Sequence, residues 1–476
     1  MNGDSGAGLL HRLTSYSDDR EWDVPADDPR VRHDIVPNDV AISPPFTKTY
    51  RGLPVTPLPR DLPPPALSAT ETLAGASTPA SELDARQLGR ILYLGAGITR
   101  VTERRGRPHP FRASGSAGAR FPLEVYASTR SVPGVPDGVH WYDPRAHALV
   151  QVGPPAVGGA TTLVVTGVPW RTGWRYAERG WRHLYWDAGT LLAQLSAATA
   201  SAGLSPSLRT LFPDATLRAL VGADGVHEYP LALLTFGPDE PAIAPTGPAE
   251  CGELPSVEFP LCTLAQRAGE RDELGRPWSS GAPLDDAPPS ESLDVVILQR
   301  GSQRRMDPAR NLPRATFEWS LRAALRGIDV PHWVVVHGVD DVQPGLYRCP
   351  DLSTPVHTDT SRDELVRICV GQELGGEASY VVIAAVRDAD LDDHTYREAQ
   401  LAAGLVEGRL HLAAYALGAG ATGMTFLDSE VPALLREPSD LVTLLFTCVG
   451  VPAYRNRPGG APGVPAEFRM VTPKVR

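Results

Sequence analysis

The chain has 476 residues, 42% hydrophobic and 21% charged, which is enough apolar material for two or three ordinary domains. Its net charge of −11 argues against nucleic acid as a partner, because a phosphate backbone demands a basic face. No apolar run reaches the roughly 20 residues of a membrane span, no secretion signal opens the chain, and the five scattered cysteines form neither a CxxC pair nor a zinc pattern. The expectation is a cytoplasmic protein with no membrane segment and no metal.

In chain order, residues 1–66 are polar and proline-rich, closing in "GLPVTPLPRDLPPP", and predict an extended N-terminal arm. A helix is predicted from Ser81 as its N-cap, with Leu83, Leu88, Ile91 and Leu92 on one face and Gly95 or Gly97 as its stop. Strands are expected at "LEVYAST" (123–129) and "TLVVTGV" (162–168), and a long helix at 187–203. Residues 238–292 turn Pro/Gly/acid-rich and read as a linker.

The same order then returns. "SYVVIAAV" (379–386) matches "TLVVTGV", and "LAAGLVEGRLHLAAYALGAG" (401–420) matches the earlier long helix. Gly189 and Gly404 stand as far apart in sequence as Gly203 and Gly418. "PDATLRALVG" (213–222) lines up with "LDSEVPALLR" (427–436). Two diverged copies of one α+β unit, at 67–237 and 293–476, account for this pattern. Two unrelated domains with similar helices are the plainer alternative.

Chemistry concentrates in a few short stretches. In "RGSQRR" (300–305), Arg300, Ser302 and Arg304 alternate, so an extended segment aims all three to one side. Two guanidiniums and a hydroxyl suit a phosphate monoester, since arginine binds phosphate oxygens bidentately. The loop Ser114-Gly115-Ser116-Ala117-Gly118 can bring backbone N–H groups and hydroxyls close to a planar ring, because no bulky side chain intervenes. Taken singly, the first is also a solvated surface strand and the second a flexible turn.

Together and in order, "SGSAGARFPLEVY" (114–126), "RYAERGWRHLYWDAG" (175–189), "RGSQR" (300–304) and "ALGAGATGMTFLD" (416–428) resemble the nitroreductase-like fold. The likeness is greatest to its SagB/McbC-type branch, FMN-dependent dehydrogenases that oxidise azolines in modified peptides. The resemblance spans about residues 11 to 458 and implies an α+β pseudo-dimer built within one chain, with FMN between its halves. Phosphate binding would fall to Arg300, Ser302 and Arg304, with Arg455 and Arg457 nearby. The ring would lie on Ser114, Ser116, Ala117 and Gly118, and its N5 edge would meet the backbone of Thr425 and Phe426.

Only the second copy carries the arginine grip and only the first carries the small-residue loop, which implies one surviving site and one decayed one. The family's catalytic Lys-Tyr pair becomes Arg175-Tyr176 here. Arginine cannot act as a base at ordinary pH, so Tyr176 is the expected base, with Arg175 lowering its pKa. Read without the family, "RYAERGWRHLYWD" is an aromatic-basic packing segment. The implied partners are an azoline-containing precursor peptide and the cyclodehydratase of the same pathway. Another flavin reaction on the same fold, or a catalytically decayed scaffold of a peptide-modifying complex, are the alternatives.

Overall fold

Two long helices form the centre of the molecule, because both are buried on almost every side. The first runs Gly180–Ser201 and the second Asp393–Ala416, and they cross where Gly189 and Gly404 let the backbones touch. The first starts earlier than the sequence pattern predicts. Arg179 and Arg182 are buried on Asp428 and draw the segment before Asp187 into the helix. The computed structural model describes residues 5–17, 43–104, 106–253 and 257–475.

In chain order the strands are β1 (Val55–Pro57), β2 (Ile98–Arg104), β3 (Arg107–Arg112), β4 (Leu123–Thr129), β5 (Gly138–Asp143) and β6 (Ala148–Gly153). Next come β7 (Thr162–Gly167), β8 (Pro206–Arg209), β9 (Tyr229–Phe236), β10 (His332–Val336) and β11 (Gly345–Arg348). The remainder are β12 (Tyr380–Arg387), β13 (Gly420–Met424), β14 (Leu441–Gly450) and β15 (Ala466–Glu467). A seven-stranded antiparallel sheet has the order β1-β6-β5-β4-β7-β9-β8, and a five-stranded one the order β11-β10-β12-β14-β13.

Five neighbours of the larger sheet, β5-β4-β7-β9-β8, thus repeat the order of the smaller sheet, and each sheet has its long helix between equivalent strands. The short helices Asp214–Val221 and Val431–Leu435 also fall at matching places. Side chains from both sheets and both long helices enter one continuous core, including Leu163, Leu191, Leu405 and Ile383. A third, small sheet joins β15 to β2 in parallel and β2 to β3.

Three expectations need correction. The segment 1–66 is not simply an extended arm. Gly6–Thr14 is a helix capped by Ser5, and its Leu9, Leu10 and Leu13 are buried at helical spacing. It lies so close to the helix Pro260–Ala268 that a Cβ on Gly6 would stand 2.7 Å from that of Ala268. β1 adds a further strand to the larger sheet, while residues 18–42 of the arm lie outside the described residues.

The segment 238–292 is likewise packed rather than free. Leu261, Cys262 and Ala265 of its helix are buried in the core, and Trp278 and Leu284 pack against it. Lastly, the helix predicted from Ser81 begins at Ala85. Asp84 caps it by accepting from the N–H groups of Arg86 and Gln87, and Gly97 follows its end.

Candidate functional site

The helix Leu293–Gln299 ends at Arg300, whose backbone turns to extended geometry. From there the chain runs along a cavity of about 1210 Å³ lined by Arg300, Ser302 and Arg304. Gln303 between them is fully buried and turns inward, donating to the carbonyls of Arg305 (3.0 Å) and Tyr454 (3.2 Å). The alternation read from the sequence therefore holds. Tyr454 also accepts the N–H of Arg304 at 3.0 Å, which fixes the segment from the other side.

Across the cavity stands the loop after β3. Ser114, Gly115 and Ser116 line the wall, together with Arg455 and Arg457 from the chain after β14. Loop and grip abut: a Cβ on Gly115 would lie 3.5 Å from Nη1 of Arg300. Arg300 is 3% exposed, and it donates to the Ala113 carbonyl, so the grip of one half is locked to the loop of the other.

The cavity is strongly cationic: among the described residues seven arginines line it against Glu103 and Glu467. Burial, then the neighbouring Arg100, push the Arg300 guanidinium down to about 10. Among the described residues its Nε has no hydrogen-bond partner. Among the described residues Arg304 and Arg455 have no carboxylate partner either. A buried guanidinium with an unused donor beside unpaired arginines is the donor set a phosphate monoester would satisfy.

No family model matches the chain. A Methanocaldococcus jannaschii protein named as a nitroreductase is 30% identical over 172 residues, covering 33% of this chain and 82% of its own. This chain belongs to the nitroreductase family.

A solved structure from Anabaena variabilis, also named as a nitroreductase, matches with a TM-score of 0.71 at 22% identity. It covers 94% of this chain and 99% of its own. The fold therefore extends over nearly the whole of both. The FMN-dependent nitroreductase of Clostridium difficile matches 34% of this chain and 90% of its own, at 14% identity and a TM-score of 0.25, which is too distant to carry an argument.

The remaining expected site residues of this nitroreductase-family chain lie behind the cavity wall. Gly118 sits at φ 57° against the pair Arg175-Tyr176, and a Cβ there would stand 2.6 Å from the Tyr176 hydroxyl. The left-handed backbone and the close approach both require glycine. Ala117 turns its N–H onto Asp187 at 3.0 Å. The Tyr176 ring stacks on His183, with centroids 4.0 Å apart.

Burial raises the pKa of Tyr176 above its ordinary value, although Arg175 and, more distantly, Arg304 oppose this. The expected lowering by Arg175 exists but loses to desolvation. Thr425 and Phe426 are not brought to the lining. β13 leaves the grip at Gly420, beside Gln303, and passes Glu407 at Gly423. Phe426 is then fully buried, stacked on Phe446 at 4.9 Å.

Three contributors escaped the sequence reading. Arg100 on β2 lines the cavity and donates to the carbonyls of Leu298 and Arg457 (2.8 Å for the latter), tying both ends of the cationic wall. Asp187 holds the small-residue loop through Ser116 Oγ at 2.6 Å. The chain after β15, Phe468 to Val471, closes one side of the cavity, with Phe468 against Phe111 at 4.9 Å. Of these only Asp187 left a signal, as an acid inside an apolar helical run.

Proposed function

We propose that the chain is an FMN-dependent dehydrogenase that oxidises thiazolines or oxazolines in a ribosomally made peptide to thiazoles or oxazoles, after a cyclodehydratase has closed the rings. The observation that carries this reading is the meeting of the Arg300-Ser302-Arg304 grip and the Ser114–Gly118 loop at one cavity, with Arg175-Tyr176 directly behind the loop. FMN, when bound, supplies the acceptor for the hydride that leaves the ring. Arg300, Ser302, Arg304, Arg455 and Arg457 would hold its phosphate, and Ser114 to Gly118 would lie along its ring. Dioxygen is the terminal oxidant in this proposal.

The chain's own work is to take the proton from the carbon next to the one that loses hydride. Tyr176, which lies against Gly118 of the loop, is the residue proposed for this, and the guanidinium of Arg175 favours its phenolate form against the opposing effect of burial. Incubation with an azoline peptide, FMN and oxygen tests the proposal: the peptide should lose two hydrogens per ring. An unchanged mass with FMN bound would refute azoline oxidation. The arginine at position 175, where the resembling family has lysine, favours a second reading in which the same flavin site oxidises or reduces a different substrate.

A single cofactor per chain is part of this proposal. The strand order relates the cavity to a second place, between the ends of the helices Ala69–Ala74 and Arg314–Leu325. That place is filled. A Cβ on Gly75 would lie 2.4 Å from Nη1 of Arg326, which itself donates to the Gly281 carbonyl at 3.2 Å. Leu284 donates its N–H to Ala74 at 2.8 Å, and Trp319 donates to Asp286 at 3.0 Å. On this proposal the packed segment 279–291 takes the place of a second flavin.

A further inference from the structure

Asp187 lies inside the first long helix, 5% exposed, facing the small-residue loop. Its Oδ2 stands 2.6 Å from Ser116 Oγ, and its Oδ1 accepts the N–H of Ala117 at 3.0 Å. Ser116 Oγ also accepts the N–H of Phe121 at 2.8 Å, so its orientation is fixed. Ser116 is part of the cavity wall, whereas Asp187 lies behind it, at a small cleft of about 10 Å³ shared with Ser114 and Ser116.

No cation pairs with Asp187 among the described residues. The groups around it do not supply one. Glu407, from the second long helix, is of like charge. His411 on that helix is kept neutral by burial. Tyr176 approaches from the preceding helix and His183 from the helix itself, the latter also held neutral by burial. Arg112 on β3 shares the cleft but is committed to Glu124, and Arg300 beyond Gly115 to the Ala113 carbonyl. A buried carboxyl group in such surroundings retains its proton, and burial pushes Asp187 up to about 8.

We propose that Asp187 and Ser116 form a proton relay into the cavity, with Asp187 as the proton-holding residue and Ser116 as the hydroxyl that delivers. The Oδ2–H bond breaks as that proton passes to Ser116 Oγ, and the proton already on Oγ leaves to an acceptor in the cavity. The acceptor is a group that gains a proton when dioxygen is reduced to hydrogen peroxide. Tyr176 passes the proton it took from the substrate on to Asp187, which restores both the base and the acid, so the cycle balances. This inference rests on the flavin reading above, and Asp187 acts only through Ser116.

The test compares the FMN-loaded wild-type protein with Asp187→Asn, Ser116→Ala and Ser116→Thr. Asparagine keeps the shape and the acceptor for Ala117 but carries no exchangeable carboxyl proton. An infrared band of a protonated carboxyl group should be present at neutral pH, bleach with a midpoint near 8 and be missing in Asp187→Asn. Turnover should fall above the same midpoint in the wild type. That alkaline limb should vanish in Asp187→Asn and in Ser116→Ala, and return in Ser116→Thr.

Ser116→Ala retaining the limb, or a wild-type protein without the band, would overturn the relay. The band is read on the protein itself. A chain with the band that binds no FMN would therefore refute the flavin reading alone, and a yellow protein without the band would refute the relay alone.

Discussion

Gly189 and Gly404 touch backbone to backbone at the crossing of the two long helices. A Cβ on Gly189 would stand 2.4 Å from the Leu401 carbonyl oxygen, and one on Gly404 2.4 Å from that of Trp186. Helix propensity alone favours alanine over glycine by about 0.5–1 kcal/mol. Here the contact is with backbone, which cannot swing aside as a side chain can. Gly189→Ala and Gly404→Ala should each destabilise the protein by about 1–3 kcal/mol, the usual cost of overpacking. Denaturant midpoints check this, and an unchanged or higher midpoint would show that the helices can part.

The grip predicts an asymmetry between arginines. Arg300→Ala or Arg304→Ala should weaken FMN retention roughly ten- to a hundredfold, the worth of a hydrogen bond to a charged group. Arg86→Ala should leave it unchanged, because Arg86 is about half exposed and pairs with Asp61 at 2.8 Å, away from the cavity. Equilibrium dialysis with FMN separates the three variants.

Flavin stoichiometry should approach one per chain, since the segment 279–291 fills the second place. Flavin released from a known amount of denatured protein measures it. A ratio near two would mean that this segment leaves on binding.

Tyr176→Phe should stay folded and yellow, because only one hydroxyl is removed, while turnover falls by about two to four orders of magnitude. The pH dependence fixes the role of Arg175. Burial raises the phenol pKa and Arg175 lowers it, so Arg175→Ala should raise it further. The rate limb that requires phenolate should then move to higher pH, whereas Arg175→Lys keeps the charge and should keep the limb in place. A pH–rate profile that does not move in Arg175→Ala would remove Tyr176 from the role of base.

Acid stability should depend on Asp428. Burial opposes its charge, but Arg179 at 2.8 Å and Arg182 at 2.7 Å outweigh burial and hold its pKa at about 2. The folded value lies below the unfolded one of about 3.9. The contribution is therefore complete above about pH 4 and lost as pH falls toward 2. Asp428→Asn leaves two buried guanidiniums without their counter-charge and should cost about 3–5 kcal/mol. Thermal melts at pH 7 and pH 3 should show a smaller pH dependence in the variant than in the wild type.

Local pattern made much of the fold legible. β4 and β7 fall where alternating and apolar runs put them, and the paired glycines marked both long helices. The helix Gly6–Thr14 was hidden because a proline-rich context outweighed three leucines at helical spacing. The helix Pro260–Ala268 was hidden because the acid- and proline-rich flanks resemble a linker. In the site, Arg300, Ser302 and Arg304 were legible since alternation is a local property. Arg100 was not, as its role arises only when Leu298 and Arg457 arrive beside β2 from distant parts of the chain. Thr425 and Phe426 follow β13 and do not line this cavity, so their position in the motif alone did not indicate which wall they would join.

The Arg300–Ala113 bond joins the grip and the loop within one polypeptide. A site shared between separate subunits comes apart on dilution, because its halves obey mass action. Here the local concentration of each half around the other is set by the connecting chain and does not change with the amount of protein. The cavity should therefore hold its ligand as well at nanomolar as at micromolar protein, even in a cell that makes very few copies of the chain.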